Sequence, residues 1–183
     1  MEEEKVESLI RRAKKGEREA FDTLIQMNEG KVLSVIRYMG VPATEVEDVA
    51  QEAFIRLFRY IRRFRSGEKF SRWLYRISVN AAIDHLRKER IRPIPVSGFE
   101  EDLLVKIASE NPGAEEDMRF EQLKNRLKEK LLDLSDRERA IFVLRDIEGL
   151  STKEIARSLK LNSITVRRHS TLARKKLIDL LKL

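Results

Sequence analysis

Apolar residues recur at helical spacing through almost the whole chain of 183 residues, and one segment interrupts this pattern. That segment, residues 93–118, holds three of the four prolines and carries one basic against seven acidic residues. No alternating pattern typical of strands occurs on either side of it. The sequence therefore predicts an all-α protein in which two small helical domains, 1–92 and 119–183, are joined by the acidic linker 93–118.

Capping residues and helix breakers set the expected helix boundaries. They predict helices over about 3–15, 18–39, 44–64, 71–90 and 116–132, with Gly30 as a candidate bend. Three pairs have the spacing of a capping box, and these are Thr44 with Glu47, Ser135 with Glu138, and Ser151 with Glu154. The third helix carries an apolar stripe expected to face a core, formed by Val46, Ala50, Ala53, Leu57, Ile61 and Phe64.

Charge is distributed along the chain in blocks. The formal net charge is +7, but residues 56–92 carry 12 basic against 3 acidic residues, and residues 119–183 carry 17 against 9. Two cationic blocks separated by an anionic segment indicate two contacts with a polyanion such as nucleic acid. Solvated surfaces on a protein rich in lysine and glutamate give the same pattern, so charge alone leaves both interpretations open.

Several classes of protein are disfavoured by the sequence. The chain has no cysteine, which excludes disulfides and thiolate metal sites and favours a cytoplasmic location. The acidic start MEEEKVESLI lacks the basic region of a signal peptide, and no apolar run approaches the roughly 18 residues of a membrane span. No paired carboxylates, nucleophile with base, or phosphate-binding loop indicates catalysis. We therefore expect no enzyme, no cofactor, no metal and no membrane insertion.

Residues 135–183 have the pattern of a helix-turn-helix. Ser151 begins a short helix with an apolar inner face, and Asn162 is placed to cap the helix that follows. The outward positions of that last helix are polar near its start and cationic throughout, as a helix in the DNA major groove requires. These positions are Ser163, Arg167, Arg168, Thr171, Arg174 and Lys175. A generic three-helix cluster with a basic surface is the alternative.

The first cationic block interleaves arginines with aromatic residues, a composition suited to single-stranded nucleic acid. Helical spacing places Phe54, Phe58 and Phe64 in the core, whereas Trp73 is compatible with either a core or a base-stacking position. Asn80 lies on the same helix as Trp73 and has both a donor and an acceptor with which to read a base edge.

Two stretches resemble a known family. DVAQEAFIRLFRYIRRF (48–64) with FSRWLYRISVNAAIDHLRKER (70–90) resembles region 2 of bacterial sigma factors, in particular those of the extracytoplasmic-function group. LSDRERAIFVLRDIEGLSTKEIARSLKLNSITVRRHSTLARKKL (134–177) is similar to region 4 of the same group. The resemblance implies a dissociable promoter-specificity subunit of RNA polymerase. It also implies two binding partners, promoter DNA and an anti-sigma protein.

The resemblance implies a role for each matching position. The residues that would grip the clamp helices of the largest polymerase subunit are Asp48, Gln51, Glu52 and Ile55, and the polymerase flap is expected to hold region 4. The residues that would capture the melted −10 strand are Arg63, Phe64, Arg65, Ser66, Lys69, Phe70, Ser71, Trp73, Arg76 and Asn80. The residues that would read the −35 duplex are Ser163, Thr165, Arg167, Arg168, Thr171, Arg174 and Lys175.

The recognition helix departs from the family pattern at its start. Many relatives have VGTVRSR where this chain has SITVRRH (163–169), so Ile164 stands in place of a usual glycine. The −35 sequence read by relatives therefore cannot be assigned to this chain.

Two other functions remain open at the level of sequence. An autonomous helix-turn-helix regulator would need a dimer interface to read two half-sites, and no apolar heptad stripe is left over for one. A small recombinase or nuclease would need a nucleophile or grouped acidic metal ligands. The tyrosines Tyr38, Tyr60 and Tyr75 all lie in helical patterns.

Overall fold

The computed structural model describes residues 2–65, 68–91 and 125–180. Throughout these ranges the chain forms helices and no strand, which confirms the predicted all-α class. The linker 93–118, Ser66 and both predicted domain boundaries lie outside the described residues. The helices in chain order are α1 (Glu2–Lys14), α2 (Arg18–Tyr38), α3 (Val46–Tyr60), α4 (Phe70–Ile91), α5 (125–131), α6 (Asp136–Phe142), α7 (Thr152–Ser158) and α8 (Ser163–Leu180).

Helices α1 to α4 form an N-terminal unit around the apolar stripe of α3. All six residues of the predicted stripe are buried. Burying a side chain as large as Leu57 contributes about 2 kcal/mol, so the stripe fixes the face that α3 turns inward. Helix α2 runs through Gly30 without a break and buries its own apolar face against α3.

The prediction that Phe58 lies in the core is wrong, since its side chain is 64% exposed. Position 58 is one residue beyond the buried Leu57, and each residue of an α-helix turns the side-chain direction by about 100°. The ring therefore stands at the rim of the unit, where its edge meets the ring of Phe21 with centroids 5.3 Å apart.

The predicted start and end of α3 also need correction. Thr44 does not form a capping box with Glu47, because residues Ala43–Glu45 make a short 3-10 helix and Glu45 becomes the cap without a side-chain hydrogen bond. At the other end α3 stops at Tyr60 and continues as the 3-10 helix Ile61–Arg63. Pro42 precedes the first of these turns, and its fixed φ of −52° leads directly into it.

Helices α5 to α8 form a C-terminal unit, and the starts of α6, α7 and α8 are capped as predicted. Ser135 and Glu138 make both hydrogen bonds of a capping box, and Ser151 and Glu154 do the same. Helix α6 continues as the π-helix Val143–Ile147. Helix α8 buries Val166, Ala173 and Leu177, whereas Leu180 is exposed.

Glu138 ties α6 to α8, the last helix of this unit. Its two carboxylate oxygens accept hydrogen bonds from Lys176 Nζ of α8 at 2.8 and 2.9 Å. Burial raises the pKa of Glu138, but hydrogen bonds from Lys176 and Ser135 outweigh it, and the pKa lies below its ordinary value. The ionised carboxylate therefore helps to fix α8 relative to α6.

The two units pack against each other and share one apolar core. A single buried cluster contains Leu74 and Val79 of α4 together with Leu144, Ile155 and Val166 of the C-terminal unit. Helix α4 contacts both α6 and α7. The two predicted domains are thus docked in this structure.

We call the contact between the two units the junction. Arg139 of α6 supplies its polar part. The side chain is 6% exposed, and its Nη1 donates to the carbonyl of Met39 at the end of α2 at 2.7 Å. Its Nε and Nη2 donate to the carbonyls of Leu131, Leu132 and Leu134, which follow or end α5, at 2.8 to 3.0 Å. Carbonyls at a helix C-terminus lack intrahelical partners and carry partial negative charge, so one guanidinium satisfies the ends of two helices.

Gly40 makes room for this arginine. Its φ of +79° lies in the left-handed region that favours glycine. A Cβ atom at this position would overlap Arg139 Nη1 and would lie 2.8 Å from Leu132 Cδ2. Both the backbone conformation and the approach of Arg139 therefore require glycine.

Gly40→Ala should destabilise the protein by several kcal/mol and Gly16→Ala by clearly less. Gly16 also has a positive φ, +92°, but a Cβ there meets nothing within 4 Å, so Gly16→Ala costs only about 1–2 kcal/mol of backbone strain. Gly40→Ala adds the displacement of Arg139, whose charged hydrogen bonds contribute about 1.5–3 kcal/mol each. Urea denaturation measures both free energies of unfolding, and equal losses would contradict this role of Gly40.

Candidate nucleic-acid interface

Three aromatic rings pack together where α3 leads into its connection to α4 and where α4 begins. The centroid of Phe64 lies 5.7 Å from that of Phe70 and 5.3 Å from that of Trp73. Phe64 and Phe70 are buried and Trp73 is half-buried. These three predicted −10 residues therefore form one aromatic cluster beside the connection. Sequence reasoning missed Lys14 of α1, whose Nζ donates to the Phe64 carbonyl at 2.6 Å and lies over the Phe64 ring.

Exposed cationic side chains lie around this aromatic cluster. Arg63, Arg65 and Lys69 are exposed, and the Arg63 guanidinium lies over the ring of Tyr60 at 5.1 Å from its centroid. Ser71 is half-buried in the first turn of α4. The cations are available to a phosphate backbone, as single-strand binding requires.

The face of α4 predicted to bind the −10 strand lies against the C-terminal unit. Asn80 Nδ2 donates to Ser158 Oγ of α7 at 3.2 Å. Arg76 makes an ion pair with Glu68 and is mostly buried. The predicted base-reading amide is thus engaged by the other unit.

Glu154 of α7 adds an electrostatic link across the same contact. Burial raises its pKa, but hydrogen bonds from Ser151 and the charges of Arg72 and Arg76 lower the pKa below its usual value. Arg72 and Arg76 of α4 therefore stabilise the ionised carboxylate of Glu154 in the C-terminal unit. In this arrangement their positive charge is matched by Glu154 instead of a DNA phosphate.

Two further ion pairs hold the units together. Lys31 Nζ of α2 lies 3.3 Å from Glu148 Oε1 and 6.0 Å from the centroid of the Tyr75 ring. Arg90 Nη1 lies 2.9 Å from Asp136 Oδ2. The Glu148 side chain is 3% exposed, and this burial raises its pKa although Lys31 opposes the shift. Docking thus buries a carboxylate whose charge is matched by one lysine.

Helices α7 and α8 form the predicted helix-turn-helix. Asn162 Oδ1 accepts a hydrogen bond from the Thr165 amide at 2.7 Å, which confirms the predicted cap of α8. Lys160 in the turn has a φ of +52°. Helix α8 is held from behind by its buried residues Val166 and Ser170. Its opposite face is free for a ligand.

The predicted −35 residues differ in their availability. Arg167, Arg168, Thr171 and Lys175 are exposed on α8, and Ser163 and Thr165 are half-buried. Arg174 is exposed but makes an ion pair with Asp146, which raises the pKa of this guanidinium. The exposed cations and the Thr171 hydroxyl form one polar face on the recognition helix. Arg174 belongs to this face although it is paired with Asp146.

The predicted polymerase-binding residues lie on α3. Asp48, Gln51 and Ile55 are exposed, and the half-buried Glu52 accepts a hydrogen bond from Arg56 at 2.8 Å. Arg56 also donates to Asp84 of α4 at 2.7 Å, which fixes the orientation of this edge.

Phe58 extends this α3 surface, and sequence reasoning missed it. The spacing of Gln51, Ile55 and Phe58 is four and then three residues, which places them on one helical face. This spacing was the signal in the sequence that identifies Phe58 as a surface residue. Its exposed ring and Ile55 give the surface an apolar centre beside the polar Asp48 and Gln51.

The described parts of the chain show neither a metal-binding cluster nor a membrane helix. Across residues 2–65, 68–91 and 125–180, no three His, Asp or Glu side chains are grouped as metal ligands would be. The helices within these same ranges are too short or too polar to cross a bilayer.

Family models match both units in the same order as the resemblance predicts. The model described as Sigma-70 region 2 matches residues 24–91, and that described as Sigma-70, region 4 matches residues 124–177. The ECF RNA polymerase sigma factor SigW of Bacillus subtilis is 33% identical over 88% of this chain and 89% of its own length. The ECF RNA polymerase sigma-E factor of Escherichia coli K12 is 37% identical over 81% of this chain and 79% of its own.

Two solved structures resemble this fold over most of the chain. CnrH, in complex with the cytosolic domain of CnrY, is 27% identical, covers 94% of both chains and has a TM-score of 0.63. The sigma factor RpoE of Bartonella quintana, in complex with the anti-sigma factor NepR, has a TM-score of 0.64, covers 89% of this chain and 97% of its own, and at 18% identity is similar in fold.

Proposed function

The chain belongs to the ECF sigma factors of the sigma-70 family, and we propose which of its surfaces performs each step of promoter recognition. It is an alternative sigma factor that binds core RNA polymerase and directs promoter recognition and initiation. The assignment of surfaces rests on one observation: the chain has two separate cationic faces, and they are built from different elements. One lies around the aromatic cluster, and the other lies on the capped recognition helix α8.

The α3 surface formed by Asp48, Gln51, Glu52, Ile55 and Phe58 is the proposed contact with the clamp helices of the largest polymerase subunit. Exposed aromatic residues at the centre of a polar rim are typical anchors of protein interfaces. This surface is built from residues other than those of the proposed −10 and −35 surfaces, so the same chain can hold polymerase and DNA together. The flap is the proposed partner of the C-terminal unit.

The recognition helix α8 is proposed to read the −35 duplex. The exposed Arg167 and Arg168 lie near its start, where a recognition helix meets base edges, and an arginine there bonds guanine with two parallel hydrogen bonds. Lys175, two turns farther along, and Arg174 are placed for phosphate. Phosphate contacts add affinity that depends on salt but carry no sequence information.

The connection between α3 and α4 is proposed to capture a base extruded from the melted −10 strand, with Asn80 reading its edge. Base extrusion costs a few kcal/mol, so a site that binds the extruded base favours opening at that position. The aromatic cluster of Phe64, Phe70 and Trp73 packs beside the cations of this connection, which supports the proposal. Arg63, Arg65 and Lys69 contact the phosphates.

The docked arrangement is incompatible with simultaneous binding of both elements. The −10 and −35 positions are roughly 25 base pairs apart, which is about 85 Å of duplex at 3.4 Å per base pair. A compact chain of this length has a radius of gyration of about 16 Å and therefore measures roughly 40 Å across. The two units must separate on the polymerase, and separation also releases Asn80 from Ser158.

The polymerase supplies both the spacing of the units and the chemistry of RNA synthesis, so the chain needs no catalytic group of its own. We place its action in the cytoplasm, where it meets core polymerase. Because CnrH and RpoE are described in complexes with CnrY and the anti-sigma factor NepR, a protein that holds the docked arrangement is the proposed inhibitory partner.

Phe58→Ala should weaken the complex with core polymerase by roughly tenfold or more, because exposed aromatic anchors dominate interface energies. Phe21→Ala is the matched control, since it removes the same edge-to-face pair but leaves the exposed ring in place. A titration of fluorescently labelled chain with purified core measures both affinities.

Equal weakening by the two substitutions, or none by either, would show that the Phe58 ring does not bind polymerase. Failure of the unsubstituted chain to bind core at all would overturn the proposed function itself.

Lys31→Glu should raise the affinity of the free chain for single-stranded DNA severalfold. It places a like charge against the buried Glu148, which opens the junction and uncovers Asn80. The change also removes two units of positive charge, so electrostatics without opening predicts weaker binding. Fluorescence anisotropy with a labelled single-stranded oligonucleotide of mixed sequence distinguishes the two.

Adding Glu148→Lys to Lys31→Glu is the control, because it restores an opposite pair and the original net charge. The double variant should bind like the unsubstituted chain. Weaker binding by Lys31→Glu alone would show that docking does not cover the −10 surface.

A further inference from the structure

The recognition helix carries an exposed apolar residue that the proposed contacts leave unexplained. Ile164, the second residue of α8, is 72% exposed, more than any other large apolar side chain among the described residues. It belongs to neither buried cluster. An isoleucine exposed to this extent contributes little to folding.

Ile164 lies on the DNA-facing side of α8. Arg167 and Arg168 follow it by three and four residues, so all three share one helical face, and both arginines are exposed. Val166, which faces the opposite way, is fully buried and fixes the rotation of the helix. The Asn162 cap fixes its start, two residues before Ile164. The position of the side chain is therefore well determined by its neighbours.

The chemistry of the major groove offers one base-specific partner for an apolar side chain. Among the four bases, the C5-methyl of thymine is the apolar group exposed in that groove, and apolar side chains contact it. The first residues of a recognition helix are the ones that reach base edges. We infer that Ile164 selects a thymine in the −35 element by packing against its methyl group. This inference rests on the proposed function of α8.

The geometry also separates the roles of neighbouring residues. Arg167 and Arg168 recognise guanine or phosphate through hydrogen bonds, whereas Ile164 offers no hydrogen bond and distinguishes thymine from cytosine and uracil by a methyl group alone. Thymine selectivity at one position should therefore depend on Ile164 and be independent of the arginines.

The test uses holoenzyme and a −35 duplex selected by that holoenzyme from a random library. Each thymine of the selected element is replaced singly by deoxyuridine, which removes the methyl and keeps every hydrogen-bonding group. For the unsubstituted protein, one replacement should weaken binding about fourfold, as expected for one buried methyl. In Ile164→Ala holoenzyme the same replacement should have no measurable effect, and Ile164→Val should retain most of it.

Two controls distinguish this contact from a general loss of affinity. Ile178, 67% exposed on the same helix, lies about 21 Å farther along its axis, so Ile178→Ala should leave the deoxyuridine effect intact. Arg167→Ala should weaken binding overall but also leave the effect intact.

The inference is overturned if no thymine in the element is sensitive to loss of its methyl, or if the sensitivity persists in Ile164→Ala. Initiation from the selected promoters is scored in the same samples. Initiation without methyl sensitivity removes the inference and leaves the proposed function standing, whereas absence of initiation removes both.

Discussion

The docked arrangement of this protein depends on one buried guanidinium. Arg139 donates to carbonyls at the ends of α2 and α5, one from each unit, and Gly40 leaves the space that the side chain occupies. Without Arg139 the carbonyl of the fully buried Met39 would lose this hydrogen bond, and an unsatisfied buried carbonyl costs about 1–3 kcal/mol. Arg139 and its partners at Met39 and Gly40 therefore fix the position of α6 relative to the N-terminal unit. The rest of the helix-turn-helix is positioned through α6.

This junction leaves one of the two proposed DNA-binding surfaces accessible in the free chain and covers part of the other. Helix α8 keeps its polar face exposed, whereas Asn80 of the proposed −10 surface on α4 is hydrogen-bonded to Ser158 of α7. Opening costs the shared apolar contacts, the Arg139–Met39 hydrogen bond and the Lys31–Glu148 pair, and it relieves the burial of the Glu148 carboxylate. Binding to polymerase must supply the difference, so promoter recognition is coupled to assembly of the holoenzyme.

Local features of the fold were predictable from the sequence. Both C-terminal capping boxes and the Asn162 cap form as the spacing predicts, because each depends on residues three apart in the chain. The α3 stripe is buried because helical spacing sets it. The same spacing turns Phe58 about 100° away from the buried Leu57, so the prediction that Phe58 lies in the core goes against the periodicity of α3.

Contacts between distant residues could not be read from the sequence. Nothing in the pattern around Arg139 distinguishes a buried arginine that reaches Met39 from an ordinary surface cation, and the same holds for Lys14 and the Phe64 carbonyl. The docking of Ser158 on Asn80 depends on the tertiary arrangement of both units. The sequence therefore predicts residues for each surface but not which of them are covered by the other unit.

The separation of the two units on core polymerase is tested most directly by a distance measured between them. The chain contains no cysteine, so Arg87→Cys on α4 and Ile178→Cys on α8 place one spin label on each unit at exposed positions. Pulsed electron paramagnetic resonance should give a single short distance for the free chain and a distance longer by tens of ångströms in the holoenzyme. The same distance in both states would contradict the account.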